Sequence, residues 1–198
     1  MSRRHVFFAL AFLATATIFA GSVLKYRKID TNHSTVAFSV PIAGGMSEVW
    51  GRFRDFSVEI DWVEEDPARS KVTGVIQAAS IDTGISGRDE HLRGTDFFDT
   101  ENHPTIRFES TEIVGSGTDY RLKGKFTMRG KTREIEFPCL VKKHTTDEGK
   151  VMLGFRADLT LDRQEYGVAW KHPDSGFVGD EVRVTLRILT KLRSPEET

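Results

Sequence analysis

Alternation of apolar and polar residues is the dominant pattern of this chain beyond Lys25. In residues 35–40, for example, Val36, Phe38 and Val40 alternate with smaller or more polar neighbours. Because successive side chains of a β-strand point to opposite faces, this period of two predicts strands with one apolar face. The pattern recurs at residues 56–62, 106–108, 120–128, 135–141, 151–161 and 182–188, and more weakly at 71–81. The sequence therefore predicts about eight strands.

Short segments rich in Gly, Pro, Asp and Ser separate these strands, at residues 43–45, 65–67, 116–119 and 129–131. The strands must bury their apolar faces and protect their edges, and a sheet that closes on itself does both. We therefore expect an all-β fold, a single antiparallel closed β-barrel of about eight strands with a short helical insertion near residues 86–94. Ser86 is expected to cap that helix, and Gly94 to end it.

The N-terminus differs in character from the rest of the chain. Residues 6–24 contain no charged side chain and follow a start that carries two arginines. This pattern indicates a signal peptide over residues 1–21, with an uncleaved membrane anchor that reaches residue 24 as the alternative. Residues 26–190 would then form the barrel and residues 191–198 a polar tail. The protein is expected in the periplasm or outside the cell.

Charge and cysteine content exclude several classes of protein. Lys and Arg number 28 against 29 Asp and Glu, so no nucleic-acid partner is expected. Cys139 is the single cysteine, which excludes an intramolecular disulfide. Its phase with Ile135, Phe137 and Val141 predicts a buried apolar side chain, with a reactive thiol as the alternative.

Motifs for common enzyme classes are absent. The chain has no Gly-x-Ser-x-Gly elbow, no His-Glu-x-x-His helix, no phosphate-binding loop and no dinucleotide-binding glycine pattern. Its six histidines include no pair at the three- or four-residue spacing of a helical metal site. We therefore expect no metal, no cofactor and no catalytic residue.

The segment at residues 88–93, Arg-Asp-Glu-His-Leu-Arg, breaks the β pattern and concentrates charge. Arg88 and His91 share one face of the predicted helical turn, where they would contact an anionic head group. The alternative is structural: Arg88, Asp89 and Arg93 would form an ion-pair network that holds this turn to the barrel. An enzyme would use Asp89, Glu90 and His91 as its acid–base groups.

Ordered sequence blocks along nearly the whole chain resemble the YceI-like polyisoprenoid-binding family. They lie at residues 29–40, 51–56, 88–99, 104–108, 122–132, 162–167 and 178–182. The most specific runs from Arg88 through Asp96-Phe97-Phe98-Asp99 to Pro104-Thr105-Ile106-Arg107-Phe108. The chain departs from the family at residues 40–45, Val-Pro-Ile-Ala-Gly-Gly, where many relatives carry a basic residue and a histidine.

The resemblance implies a lipocalin-like barrel whose interior accommodates an isoprenoid, such as a polyprenyl phosphate or a quinone tail. His33, Arg88 and His91 are the candidate contacts of the polar head group. The candidate apolar lining is large and rich in phenylalanine. It comprises Phe38, Phe56, Leu92, Phe97, Phe98, Ile106, Phe108, Leu122, Phe126, Met128, Phe137, Phe155 and Leu159.

The function that follows is an exported lipid-binding protein that transports, stores or sequesters its ligand. Two alternatives remain at this point: a non-enzymatic interaction or stress-related protein with a filled barrel, and an isoprenoid-modifying enzyme. Expected partners are an isoprenoid or quinone-like lipid and, through an uncleaved N-terminal segment, a membrane. A homodimer is left open.

Overall fold

A computed structural model describes residues 23–26, 28–147, 149, 151–173 and 176–191. The segment assigned to a signal peptide therefore lies outside the described residues, as does the tail from residue 192 onward. No helix in the described part of the chain is long and apolar enough to cross a bilayer.

The described residues form twelve strands and one α-helix. The strands are β1 (Val23–Tyr26), β2 (Lys28–Ile29), β3 (Thr35–Ile42), β4 (Ser47–Phe53), β5 (Phe56–Val63), β6 (Lys71–Gln77), β7 (Ile81–Asp82), β8 (Thr105–Ser116), β9 (Asp119–Met128), β10 (Lys131–Thr145), β11 (Val151–Asp162) and β12 (Glu181–Lys191). The helix α1 is Ser86–Arg93. Short 3₁₀ turns occupy Ala43–Gly45, Pro67–Arg69, Ala78–Ser80 and Arg163–Tyr166.

All strand pairs are antiparallel and belong to one sheet, in the order β1-β5-β6-β8-β9-β10-β11-β12-β3-β4-β7. The sheet curls into a half-barrel with its apolar face inward. The prediction of a nearly all-β antiparallel barrel with one short helix is confirmed. The structure has four strands more than the predicted eight. Three of these additional strands, β1, β2 and β7, have only two to four residues.

The fourth additional strand, β4, escaped the sequence pattern because its inward face includes a glycine. Gly51 pairs with Phe38 of β3, and a Cβ at Gly51 would collide with the Phe38 ring. Because glycine has no side chain at this position, the Phe38 ring can enter the interior. The same glycine interrupts the alternation of apolar residues that would have predicted a strand.

Two chain segments bridge the ends of the sheet. β1 pairs with β5 while β2 pairs with β12, so the N-terminal segment joins both sides of the half-barrel at one end. Beside β4 and β5, the Arg54 amide donates to the Ser80 carbonyl and the Gln77 amide donates to the Asp55 carbonyl. Closure therefore comes from these crossing segments. No pairing of β4 with β5 is present among the described residues.

The helix α1 lies where the sequence predicts it, but its cap differs. Ile85 is the N-cap and Ser86 is the first helical residue, so the prediction that Ser86 caps the helix is wrong. Asp89 takes over the anchoring role. Its Oδ1 accepts hydrogen bonds from the Thr83 amide at 2.8 Å and the Thr83 hydroxyl at 2.6 Å. Gly94 ends the helix as predicted.

Candidate functional site

The inner face of the half-barrel encloses a cavity of about 490 Å³. Small-molecule sites typically measure about 300–1,000 Å³, and an apolar cavity of about 150 Å³ already holds benzene. The cavity is lined almost entirely by apolar side chains of β3–β6 and β8–β12, together with α1 and the loop after Tyr166. The interior is therefore open, and it suits a ligand larger than a single ring.

The structure brings all thirteen predicted lining residues to this one cavity. The alternation within each strand explains this result: inward positions such as Phe108 on β8, Phe126 on β9 and Phe137 on β10 come from adjacent strands. Phe108 and Phe137 have ring centroids 5.4 Å apart. Contact with a ligand remains a prediction for each of the thirteen.

One end of the cavity is sealed by tightly buried side chains, and we call it the closed end. Ile60, Ile113 and Leu153 are at most 1% exposed there. The Trp62 ring packs edge-on against Tyr120, with centroids 5.3 Å apart. Burial raises the pKa of the Tyr120 hydroxyl, which keeps this group neutral.

The opposite end carries a cluster of aromatic and imidazole rings, and we call it the mouth. The His91 ring lies 5.0 Å from Phe97 and 5.3 Å from Trp170, edge-on to both. His172 lies 5.8 Å from Trp170 and stacks on Phe177 at 4.5 Å. All five side chains line the cavity. The mouth therefore combines flat apolar surfaces with two imidazoles, whose ring nitrogens are able to form hydrogen bonds.

Arg163 organises the loop that supplies half of the mouth. Its guanidinium group is buried and donates to the carbonyl oxygens of Val168 at 2.7 Å and Trp170 at 3.0 Å. It also pairs with the Asp180 carboxylate at 2.8 Å. A planar group with five donors suits this task, because it reaches several carbonyls at once. Arg163 thereby fixes both ends of the loop between Tyr166 and Asp180.

The charged residues of α1 mainly attach the helix to the chain before it. Arg88 donates to the hydroxyl of Thr83 at 2.7 Å and to its carbonyl at 2.8 Å. Arg93 donates to the carbonyls of Ala79 and Ile81. These are hydrogen bonds to Thr83 and to backbone, so the expected ion-pair network among Arg88, Asp89 and Arg93 is replaced by a hydrogen-bonded one. Arg88 additionally lines the cavity.

His91 is the only one of the three acid–base candidates that lines the cavity. Its Nε2 lies 3.0 Å from Oδ2 of Asp96, an exposed carboxylate. Asp89 is buried and bonded to Thr83, while Glu90 is exposed. Of the three candidates, α1 therefore presents one imidazole to the cavity, beside the carboxylate of Asp96.

His33 is not brought to the cavity. It is exposed on the segment between β2 and β3, and its Nδ1 lies 3.0 Å from Oδ2 of Asp30. Its other neighbours include Leu140, Lys142 and Arg187, on the outer face of the barrel. The sequence grouped His33 with Arg88 and His91 by chemistry, but the fold places it apart from them.

The YceI-like domain model matches residues 28–189, which is most of the chain. The chain belongs to the YceI-like family. A UPF0312 protein of Pseudomonas aeruginosa is 31% identical over 180 residues, which cover 89% of this chain and 92% of that protein.

Solved structures reproduce the same fold. Burkholderia cenocepacia BcnA superposes with a TM-score of 0.73 at 24% identity and covers 82% of this chain and 99% of its own. A polyisoprenoid-binding domain from Saccharophagus degradans gives a TM-score of 0.64 at 14% identity, with 87% and 100% covered. The resemblance read from the sequence is therefore confirmed for family and fold.

Sequence reasoning missed three side chains at the mouth of this YceI-like domain: Trp170, His172 and Phe177. They lie in a loop, where no periodicity assigns an inward direction. A signal was available in the loop composition, since two aromatic residues and a histidine within eight positions are unusual for a solvated turn. The sequence marks Arg163 only as part of the family block at residues 162–167.

Cys139 also lines the cavity of the YceI-like domain, near its closed end. The side chain is buried, which confirms the apolar interpretation of its position. Burial raises the pKa of this thiol to about 11, partly offset by a backbone hydrogen bond. Among the described residues, no three His, Cys, Asp or Glu side chains converge to hold a metal ion.

Proposed function

We propose that this chain is an exported lipid-binding protein that holds a long isoprenoid in the cavity of its half-barrel. The observation that carries the proposal is the cavity itself: about 490 Å³ of apolar interior, sealed at one end and furnished with rings and hydrogen-bonding groups at the other. The Saccharophagus degradans neighbour, described as a polyisoprenoid-binding domain, supports this ligand class.

Energetics favour a long hydrocarbon chain in this interior. Each methylene group moved from water into an apolar site contributes about 0.8 kcal/mol. Ten such groups contribute about 8 kcal/mol before the costs of association, which is the gross free energy of micromolar binding. The apolar lining offers methylene groups the contacts that this transfer requires. A shorter polar ligand would instead need hydrogen-bond partners, which apolar side chains do not supply.

The two ends assign the orientation of the ligand. The closed end offers apolar side chains that line the cavity, such as Leu122 and Phe155, so it receives the end of the isoprenoid tail. Arg88, His91 and His172 place hydrogen-bonding groups at the mouth, where the head group resides. A polyprenyl phosphate and a quinone both satisfy this arrangement.

Neither alternative function gains a specific observation. A protein with a barrel filled by its own side chains would lack the open volume described above. An isoprenoid-modifying enzyme would need acid–base groups beyond His91, the one residue among Asp89, Glu90 and His91 that lines the cavity. We therefore favour binding for transport, storage or sequestration over catalysis.

Export is part of the proposal. Its support is the N-terminal sequence, in which two arginines precede the uncharged residues 6–24. The location that fits this segment is the periplasm or the extracellular space, with membrane attachment if the segment is retained.

The test is to purify the protein from its host without detergent, extract it with organic solvent and identify the lipid by mass spectrometry. Native mass spectrometry gives the stoichiometry. We expect one polyprenyl or quinone-type molecule per chain. A protein that is empty after purification and also fails to take up added isoprenoids would refute the proposal.

A further inference from the structure

The wall of the cavity carries basic residues. Among the described residues, the lining includes Arg88, Arg107, Arg163, His91 and His172 but no Asp or Glu. Histidine is charged only when it is protonated, so the permanent positive charge comes from the arginines. A hydrocarbon tail alone does not explain this charge, and each arginine therefore needs a partner or an exposed position.

Two of the three arginines meet this condition. Arg163 pairs with the Asp180 carboxylate at 2.8 Å and uses its other donors on backbone carbonyl oxygens. Arg107 is exposed on β8, at a position whose neighbours along the strand point inward. Arg88 is the arginine that remains to be explained.

Arg88 is half-buried, and no described carboxylate lies within ion-pair distance of it. Its Nε donates to the Thr83 hydroxyl at 2.7 Å, and its Nη2 donates to the Thr83 carbonyl at 2.8 Å. These two nitrogens form one edge of the planar guanidinium group. The other edge, formed by Nη1 and the second hydrogen of Nη2, donates to no described residue. A charge in an apolar wall is costly without a counter-charge.

The second edge of the Arg88 guanidinium group matches a phosphate. Two parallel N–H groups of an arginine bind two oxygens of one anion at once, and such charge-assisted hydrogen bonds are about twice as strong as neutral ones. Because Thr83 already holds the first edge, the side chain is oriented before a ligand arrives, which lowers the entropic cost of binding. A quinone carbonyl or an alcohol is uncharged and would leave this guanidinium group without a counter-charge.

His91 adds a second group beside Arg88. It lies three residues further along α1, on the same face of the helix, and lines the same cavity. Its Nε2 lies 3.0 Å from the Asp96 carboxylate, and Asp96 is not among the residues that line the cavity. The Nδ1 nitrogen is therefore the one left for a ligand. The α1 side of the mouth thus offers a ligand one permanent charge and one imidazole.

We propose that the head group of the bound isoprenoid is a phosphate, held by the second edge of Arg88 with His91 beside it. This inference rests on the proposed lipid-binding function, and it decides between the two head groups that this function allows. The ligand is then a polyprenyl phosphate, whose anionic end meets Arg88 while its tail fills the apolar interior.

The experiment compares three ligands that share one tail: geranylgeranyl phosphate, geranylgeraniol and a naphthoquinone with a geranylgeranyl side chain. Affinity for the unmodified protein is measured by displacement of a fluorescent polyprenyl analogue. We expect the phosphate to bind about thirtyfold more tightly than the alcohol, the value of a charge-assisted hydrogen-bonded contact. This advantage should shrink as the NaCl concentration rises, because salt screens the charges but not the apolar contacts of the tail.

Two variants of α1 assign the effect to Arg88. Arg88→Gln removes the charge, and Arg93→Gln is the matched control, because Arg93 also bonds to the segment before α1 but does not line the cavity. We expect Arg88→Gln to weaken phosphate binding about thirtyfold and to change the affinity for the alcohol and the quinone by less than about twofold. Arg93→Gln should leave the ratio of phosphate to alcohol affinity unchanged. A weaker attachment of α1 affects both ligands and cancels in this ratio.

Equal affinity of the unmodified protein for the phosphate and the alcohol would overturn the phosphate assignment and leave lipid binding intact. The same conclusion would follow from an equal loss of phosphate and quinone affinity in Arg88→Gln, or from an equal change of the ratio in both variants. Failure to bind any of the three ligands would refute the proposed function and the assignment with it. The comparison of ligands in the unmodified protein needs no substitution, so the test stands even if a variant fails to fold.

Discussion

The closed end and the mouth of this barrel are built from the same strands but by different means. At the closed end, the Trp62 ring packs against the rings of Tyr120 and Phe155 among fully buried aliphatic side chains. At the mouth, the rings of His91 and Trp170 contact each other from a helix and a loop. Full burial is therefore concentrated where strands pair, while rings with hydrogen-bonding nitrogens are concentrated where strands end.

We expect this division to let side chains at the mouth change without loss of the fold. A cavity residue on a strand is held by the ladder on both sides, whereas Trp170 depends on hydrogen bonds from Arg163. Loops on a rigid scaffold are where binding groups usually lie. The following predictions test whether the two ends differ as described, from the largest expected effect to the smallest.

Two tryptophans test the difference in stability directly. Trp62→Ala should lower the free energy of unfolding by about 3–5 kcal/mol, because it leaves a void among fully buried neighbours. Trp170→Ala should cost only about 1 kcal/mol, the value of its ring contacts. Urea denaturation measures both. Equal losses would show that the mouth is part of the stabilising core.

The thiol of Cys139 tests whether the interior near the closed end is dry. Burial disfavours the thiolate and raises the pKa of Cys139 to about 11, so at pH 8 reactive thiolate is about a hundredfold scarcer than for a thiol at 9.0. Alkylation by iodoacetamide should be slow at pH 8 and should accelerate as the pH rises towards 11. A rate profile with its midpoint near 9 would indicate water in that region.

A side chain added inside the barrel tests the cavity between the two ends. Gly74 on β6 faces inward, and a Cβ there would meet Phe108 at an ordinary 3.9 Å. Gly74→Leu should exclude about two methylene groups of ligand and weaken binding by about tenfold. Thr73→Leu, on the outer face of the same strand, is the matched control. Affinity is measured by titration with a fluorescent polyprenyl analogue.

Two histidines give the smallest effect and the sharpest test of the mouth. His91→Ala should weaken ligand retention by about fivefold, the value of one hydrogen bond, because His91 lines the cavity. His33→Ala should change nothing, since His33 lies on the outer face with Asp30. Retention after gel filtration measures both. Loss on His33→Ala would restore His33 to the head-group site.

The sequence predicted the strands and the inward side chains that follow from their periodicity. Strand alternation assigned Phe108, Phe126 and Phe137 to the interior because an inward position follows from a period of two. It could not assign β4, where Gly51 removes the apolar signal to admit the Phe38 ring. It could not assign the direction of the His172 side chain either, since that depends on how Arg163 holds a loop of irregular backbone.

Chemistry alone also grouped residues that the fold separates. His33 and His91 have the same side chain and both lie in family blocks, yet one faces solvent and the other lines the cavity. Arg88 fits both the structural and the head-group interpretation of its segment. Its donors bond to Thr83, and its side chain also lines the cavity. Only the three-dimensional arrangement shows which of these residues meet.

The position of β12 has a consequence for how the chain acquires its structure. This strand lies between β11 and β3 in the middle of the sheet, and it pairs Arg187 with Thr35. Pairings between residues so distant in sequence are slow to form, because a long loop must close first. β2 and β3 have no partner on that side until the last strand has left the ribosome. The sheet therefore cannot be completed before synthesis of the chain reaches β12.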